Sequence, residues 1–300
     1  MSDSLTLSVS SPDEAREPFL RLVARAALVD GQHPFNDQAL VDAGTGTKSL
    51  LLAERGGAVV GAAVVGQGEL EFVIDPEWRE EGLGRQLLEI LLANRGAGAS
   101  EPLLAWAHGD HPASRKLAAG HGFVAVRTLL QLRRELSEAA PPADAGLPEG
   151  FVVGGFRGGR DIEEWVSLNA AVFAEHPEQG SLTADDLRFR MAETWFDPDD
   201  FLLLRDARGA LVGYNWLKVE PGDEAGEIYV IGIDESHAGQ GLGRALMNLG
   251  LARLAARGRR QAALYVDGEN TRAVALYRSL GFTDHTIDIQ YRREPAVRRR

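Results

Sequence analysis

Asp75 to Ala93, DPEWREEGLGRQLLEILLA, aligns without gaps on Asp234 to Ala252, DESHAGQGLGRALMNLGLA, a shift of 159 residues. The shared core is GLGR, and at the same shift Gly122-Phe123 falls on Gly281-Phe282 and Leu117 on Leu276. Two separated segments obeying one offset make duplication simpler than coincidence, so the chain is expected to fold as two copies of one unit. The length agrees, because 300 residues exceed what one hydrophobic core usually holds. Between the copies, Ser137 to Gly150 (SEAAPPADAGLPEG) replaces apolar patterning with Pro, Ala, Gly and acidic residues, the mark of a linker. The expected organisation is an N-terminal domain over 1–136, a linker over 137–150 and a C-terminal domain over 151–300.

Each copy reads in one order. An amphipathic helical region (Pro12–Val29; Asp161–Phe173) leads to apolar strand-like runs (Ser49–Ala53 and Val59–Val65; Phe201–Leu204 and Leu211–Lys218). A further strand, Leu70–Ile74 or Glu227–Ile233, runs into a glycine-rich turn that opens a helix with apolar residues at helical spacing, such as Leu242, Leu246 and Leu249. Another strand follows (Leu103–Ala107; Ala262–Val266), then a short helix ending at Gly-Phe and a last strand (Val124–Leu132; His285–Tyr291). The fold class is α/β, an α+β arrangement on a mixed, largely antiparallel sheet.

Composition removes several functions. A formal charge of −12 repels phosphate backbones and anionic leaflets, so neither nucleic acid nor membrane is expected as a partner. The absence of cysteine excludes disulfides, thiolate nucleophiles and thiolate metal sites. No uncharged stretch approaches the roughly 18 residues of a spanning helix, and the N-terminus has no basic-then-apolar leader, which makes the cytoplasm the expected compartment. His108 and His111 have metal-like spacing but no third ligand nearby; a surface loop is the expectation, and no metal is expected. Trp195 and Trp216 read as core.

In the second copy, Ala238-Gly239-Gln240-Gly241-Leu242-Gly243-Arg244 stands between a strand and a helix. Glycines there let successive N–H groups face one concavity at a helix N-terminus, a cradle suited to a diphosphate; taken alone, an ordinary strand-to-helix turn explains it as well. No Gly-Lys dipeptide occurs, so there is no P-loop, and neither copy has G-x-G-x-x-G. The turn, followed by a helix bearing N-x-x-A-x-x-x-Y (Asn270, Ala273, Tyr277) and ending at Gly281-Phe282, resembles the GCN5-related N-acetyltransferase superfamily. Copy one shows Arg79-Glu80-Glu81-Gly82-Leu83-Gly84; copy two departs at Ala238, a change that a backbone cradle tolerates.

The resemblance implies two tandem acetyltransferase domains and acetyl-CoA as co-substrate. It assigns acetyl-CoA binding to Val73, Ile74, Asp75, Glu81, Gly82, Leu83, Gly84, Arg85 and Gln86 in copy one. In copy two it assigns Ile231, Gly232, Ile233, Ala238, Gly239, Gln240, Gly241, Leu242, Gly243, Arg244, Asn270, Thr271, Arg272, Ala273, Val274 and Ala275. Pantetheine is expected where strands Tyr229–Ile233 and Ala262–Val266 splay, an amide near Ile231 to Ile233 polarising the thioester carbonyl. Tyr277 is the expected general acid and Glu227 the group that takes the amine proton through water. At the 159 offset Tyr277 falls on Ala118, Asn270 on His111 and Glu227 on Gly68, so copy one is expected to be non-catalytic while keeping its cradle.

Further segments, His176-Pro177-Glu178-Gln179-Gly180, Gly226 to Asp234, Leu264 to Asn270 and Ala275-Leu276-Tyr277, together with tandem domains and this length, resemble the mycothiol synthase family of actinobacteria; the excess of Arg over Lys, 29 to 3, looks like a high-GC bacterial genome. That family acetylates the cysteinyl amine of cysteinyl-glucosaminyl-inositol, and the resemblance carries acceptor contacts onto Asp37, Glu178, Lys218, Glu227 and Tyr265. A polyol carrying an ammonium group suits carboxylates, an amine and a phenol. The implied partner is a small-molecule amine, and tandem copies satisfy internally what single-domain relatives achieve as dimers, which predicts a monomer. The alternatives are a tandem acetyltransferase for another amine or peptide N-terminus, and a non-catalytic acyl-CoA-binding module.

Overall fold

The computed structural model describes residues 4–9, 12–95, 100–136, 146–174 and 179–295. The first copy contains β1 (Thr6–Val9), α1 (Pro12–Asp30), α2 (Asp37–Thr45), β2 (Ser49–Arg55), β3 (Ala58–Gly66) and β4 (Glu69–Ile74). It continues with α3 (Leu83–Asn94), β5 (Leu103–Ala107), α4 (Pro112–Gly120) and β6 (Val124–Glu135). The second contains β7 (Val152–Gly155), α5 (Arg160–Val172), α6 (Ala184–Met191), β8 (Phe201–Arg205), β9 (Leu211–Lys218) and β10 (Ala225–Ile233). After them come α7 (Leu242–Ala256), β11 (Gln261–Asp267), α8 (Thr271–Ser279) and β12 (Thr283–Arg293). The chain is α/β with a mixed sheet. Every strand and helix expected from periodicity is present; β1, β7 and the short helices α2 and α6 are additions.

Two compact units form, but they are not two contiguous stretches. One comprises Met1–Leu130, Asp267–Asn270 and Thr286–Arg300; the other comprises Gln131–Val266 and Thr271–His285. The second half of β12 thus completes the first unit, pairing antiparallel with β5 from Ile289↔Ala107 to Arg293↔Leu103. The second half of β6 belongs with the second unit, where Leu136 N–H donates to Arg260 O at 2.8 Å. A division at the linker alone therefore does not describe the units, and residues 137–145 of that expected linker lie outside the described residues.

Within the first unit the strand order is β1-β2-β3-β4-β5 followed by β12; in the second, β11-β10-β9-β8-β7 lie in sequence with β6 beside β11. The period-two alternation of each strand feeds two cores. Leu52 packs under α1 and α2 while its neighbour Ala53 packs under α3; Leu203 and Leu204 divide in the same way in the second unit. The α5-side core of the second unit is aromatic, with Trp165, Phe201, Tyr214 and Trp216 all fully buried.

Candidate active site

In both units a parallel strand pair opens just before the glycine turn. β10 pairs with β11 only from Ala225↔Gln261 to Ile228↔Leu264. Beyond that register, Val230 to Ile233 keep β9 on one edge and have no β11 partner on the other. The splay therefore begins later on β11 than expected, since Ala262, Ala263 and Leu264 are paired. β10 carries a β-bulge where the pair parts: Ile228 faces Leu217 and Val230 faces Trp216, so Tyr229 is one extra residue. In the first unit β4 and β5 pair at Glu69↔Leu104 and Leu70↔Ala105 before parting.

At the end of β10 the chain turns through a short 3-10 segment capped by Asp234 and reaches Gly239 and Gly241, both near φ +80°. Such φ values favour glycine, and a Cβ at either position would meet nothing within 4 Å, so the requirement is conformational and the concavity is open. Gly241 caps α7 without a side-chain hydrogen bond. By contrast α2 is capped by Asn36, which accepts from Ala39 N–H at 2.7 Å, and α6 by a Thr183–Asp186 capping box. An uncapped N-terminus beside an open glycine turn leaves donors and positive dipole available to an anion.

The first unit repeats this backbone at the same offset: Gly82 has φ 79° and ψ 3°, against 80° and 0° at Gly241. Its side chains differ in use. Arg79, at the position of Ala238, donates to Ile74 O and to both carboxylate oxygens of Asp30, so that position contributes no side chain to the cradle. Glu81 is paired with Arg55 at 2.5 Å, Asp75 is buried against Arg25, and Val73 lies in the α1-side core. Leu83 and Leu242 are buried core residues that begin their helices. Arg85 and Gln86 N–H groups are taken by Gly82 O. Arg244 of the second unit spends its guanidinium on Ser279 Oγ at 2.7 Å. The main chain left to an anion is therefore the start of each helix ahead of those bonds, Gly82 to Gly84 and its counterpart Gly241 to Gly243.

Tyr277 lies on α8, largely buried and edge-on to Phe282 at 6.1 Å. Burial pushes its phenol up to about 12. Its carbonyl accepts Phe282 N–H at 3.1 Å, as Ala118 O accepts Phe123 N–H at 3.0 Å, so the two helix ends superpose in kind while only one bears a hydroxyl. Asn270 stands immediately before α8; Thr271, Arg272 and Ala275 are exposed and Ala273 and Val274 half-buried along it.

Glu227 and Lys218 are directly opposite each other on β10 and β9, and Glu227 is in register with Ala263 on β11, two residues before Tyr265. Alternation puts Lys218, Glu227 and Tyr265 on one face of the sheet. Tyr265 is exposed, its hydroxyl accepting from Gln131 Nε2 at 2.6 Å. Asp37 opens α2; Glu178 lies outside the described residues.

Two expectations change. The bulge removes the one-to-one offset at the start of the strand, so Glu69, not Gly68, corresponds to Glu227: each pairs with the equivalent residue of the parallel neighbour. Copy one does carry a carboxylate there, but Lys48 Nζ binds it at 2.6 Å. His108 stands in the turn after β5, but its side chain is largely covered, with Nε2 3.1 Å from Glu71 and Nδ1 3.0 Å from Asp288. Trp195 is core, yet its ring also carries the Lys218 ammonium 5.7 Å from its centroid. Tyr229 was missed as a wall of the site because a bulge depends on pairing that no single strand encodes.

Residues 164–282 match the acetyltransferase (GNAT) family. The chain is 46% identical to a mycothiol acetyltransferase of Clavibacter michiganensis over 94% of this chain and 92% of that one. A mycothiol acetyltransferase of Geodermatophilus obscurus is 45% identical, over 91% and 92% respectively. Among solved structures, a GCN5-related N-acetyltransferase from Sphaerobacter thermophilus superposes with TM-score 0.74 at 23% identity, covering 98% of this chain and 96% of that one. A tandem GNAT protein from the clavulanic acid biosynthesis pathway does so with TM-score 0.71 at 17% identity, covering 98% and 99%.

Proposed function

This chain belongs to the mycothiol acetyltransferase family of GCN5-related N-acetyltransferases, and from that premise we propose that its C-terminal copy carries out the acyl transfer. It is an acetyl-CoA-dependent N-acetyltransferase of mycothiol synthesis that acetylates the cysteinyl amine of cysteinyl-glucosaminyl-inositol. The observation that carries the assignment of residues is the opening of β10 from β11 after Ile228↔Leu264, next to an α7 N-terminus without a side-chain cap.

The open turn at Gly239 and Gly241 fits a diphosphate, and the free edge of β10 fits the amide-bearing arm that follows it. Acetyl-CoA supplies the acyl group as an activated thioester. Main-chain N–H groups between Ile231 and Ile233 polarise its carbonyl. Glu227 takes the proton of the attacking amine through water, a mild demand for an α-amino group of pKa about 7.7–8.0. Tyr277 donates its phenolic proton to the departing sulfur; held near 12, it enters each turnover protonated. Lys218, Glu178 and Tyr265 receive the sugar and inositol hydroxyls. That copy lacks the phenol at Ala118 and holds Glu69 on Lys48, so it retains a cradle without the chemistry. The enzyme acts as a cytoplasmic monomer on a small molecule, and its net charge of −12 argues against nucleic acid or an anionic membrane surface.

Thiol release from acetyl-CoA in the presence of the cysteinyl aminosugar tests the reading. Tyr277→Phe is expected to lower kcat by roughly 10²–10⁴ with the acetyl-CoA KM nearly unchanged. Wild-type kcat in that variant would remove Tyr277 from the reaction.

A further inference from the structure

The acceptor side of the second unit contains a stack of side chains that ends on Lys218. Its ammonium sits over the Trp195 ring, 5.7 Å from the centroid, while Glu220 approaches at 3.3 Å. Trp195 is held from below: it packs on Trp216 at 5.6 Å and on Tyr229 at 5.3 Å. Tyr229 is the bulge residue of β10, and its hydroxyl accepts from Arg190 Nε at 3.1 Å; Arg190 is in turn fixed to the Asp186 carbonyl of its own helix. A lysine head group on a four-carbon stem has many rotamers, and an indole face is the side-chain surface that best fixes a cation in place.

We propose that Trp195 is a positioning residue for the acceptor: its ring, locked by Tyr229 and Trp216, holds the Lys218 ammonium toward the acceptor hydroxyls and so sets acceptor affinity without touching acetyl-CoA. The inference rests on Lys218 being an acceptor contact. It adds that the indole pre-orders the ammonium, so Trp195 acts through Lys218 and not through packing alone.

A double-mutant cycle in steady-state kinetics tests it, with Trp195→Leu, Lys218→Met and the double variant. Trp195→Leu is expected to raise the KM for the cysteinyl aminosugar about three- to tenfold, leaving kcat and the acetyl-CoA KM within about twofold. In the Lys218→Met background the same change should alter that KM by less than about twofold. An equal factor in both backgrounds overturns the proposal and leaves Trp195 a packing residue. If Trp195→Leu does not unfold cooperatively, Trp195→Phe, which keeps an aromatic face, takes its place in the cycle with a smaller expected factor under the same criterion. An unchanged acceptor KM in Lys218→Met overturns the proposal through Lys218 itself, whereas Tyr277→Phe decides separately whether the copy is the catalytic one.

Discussion

Raising the pH should destabilise the first unit through His108. Burial alone would push this imidazole down, but hydrogen bonds and charge from Asp288 and Glu71 on either side outweigh it and raise the pKa from 6.5 to about 9. Each carboxylate is itself tied in place: Glu71 accepts Asn36 N–H at 3.0 Å, and Asp288 accepts Gly109 N–H at 3.1 Å. Because the folded state holds the proton more tightly than the unfolded chain, the contribution is complete below about pH 6.5. It falls as pH rises and is gone above about pH 9. At 1.36 kcal/mol per pH unit the difference is worth about 3 kcal/mol. Denaturant unfolding of wild type and His108→Gln between pH 6 and 10 isolates this group from other titrations. The stability gap between the two proteins should narrow by about 3 kcal/mol across that range. A gap that stays constant would show that His108 is not protonated in the folded state at neutral pH, and the buried ion cluster would need another description.

Two backbone positions give further tests. Glu80 adopts φ +66° where the second copy has Gly239 at +80°, so Glu80→Gly should stabilise the protein by about 0.5–1 kcal/mol, read by chemical denaturation. Gly250 faces the Asn215 amide, with Ile228 and Leu217 methyls 3.2 Å from the position of an added Cβ. Gly250→Ala should displace the 2.9 Å bond from Asn215 to Leu246 O and cost about 1–3 kcal/mol, seen as a lowered Tm.

Most of the secondary structure, the duplication and the two glycine turns could be read from the chain alone, because each depends on neighbours within one or two turns: alternation along β9, helical spacing along α7, positive φ at Gly239 and Gly241. The same locality made Tyr277 and its counterpart Ala118 comparable by counting residues. What required tertiary structure was every property set by a partner distant in sequence. The bulge at Tyr229 exists only in pairing with β9, and it is what moves the counterpart of Glu227 from Gly68 to Glu69. His108 is covered by Glu71 and Asp288, the latter 180 residues away, and Trp195 meets Lys218 at the far end of β9, with all of β8 between them in sequence. The exchange of the ends of β6 and β12 between units is of the same kind. Local periodicity decides what an element is, whereas register and burial are settled by which elements meet, and that information lies in the summed packing of the whole chain.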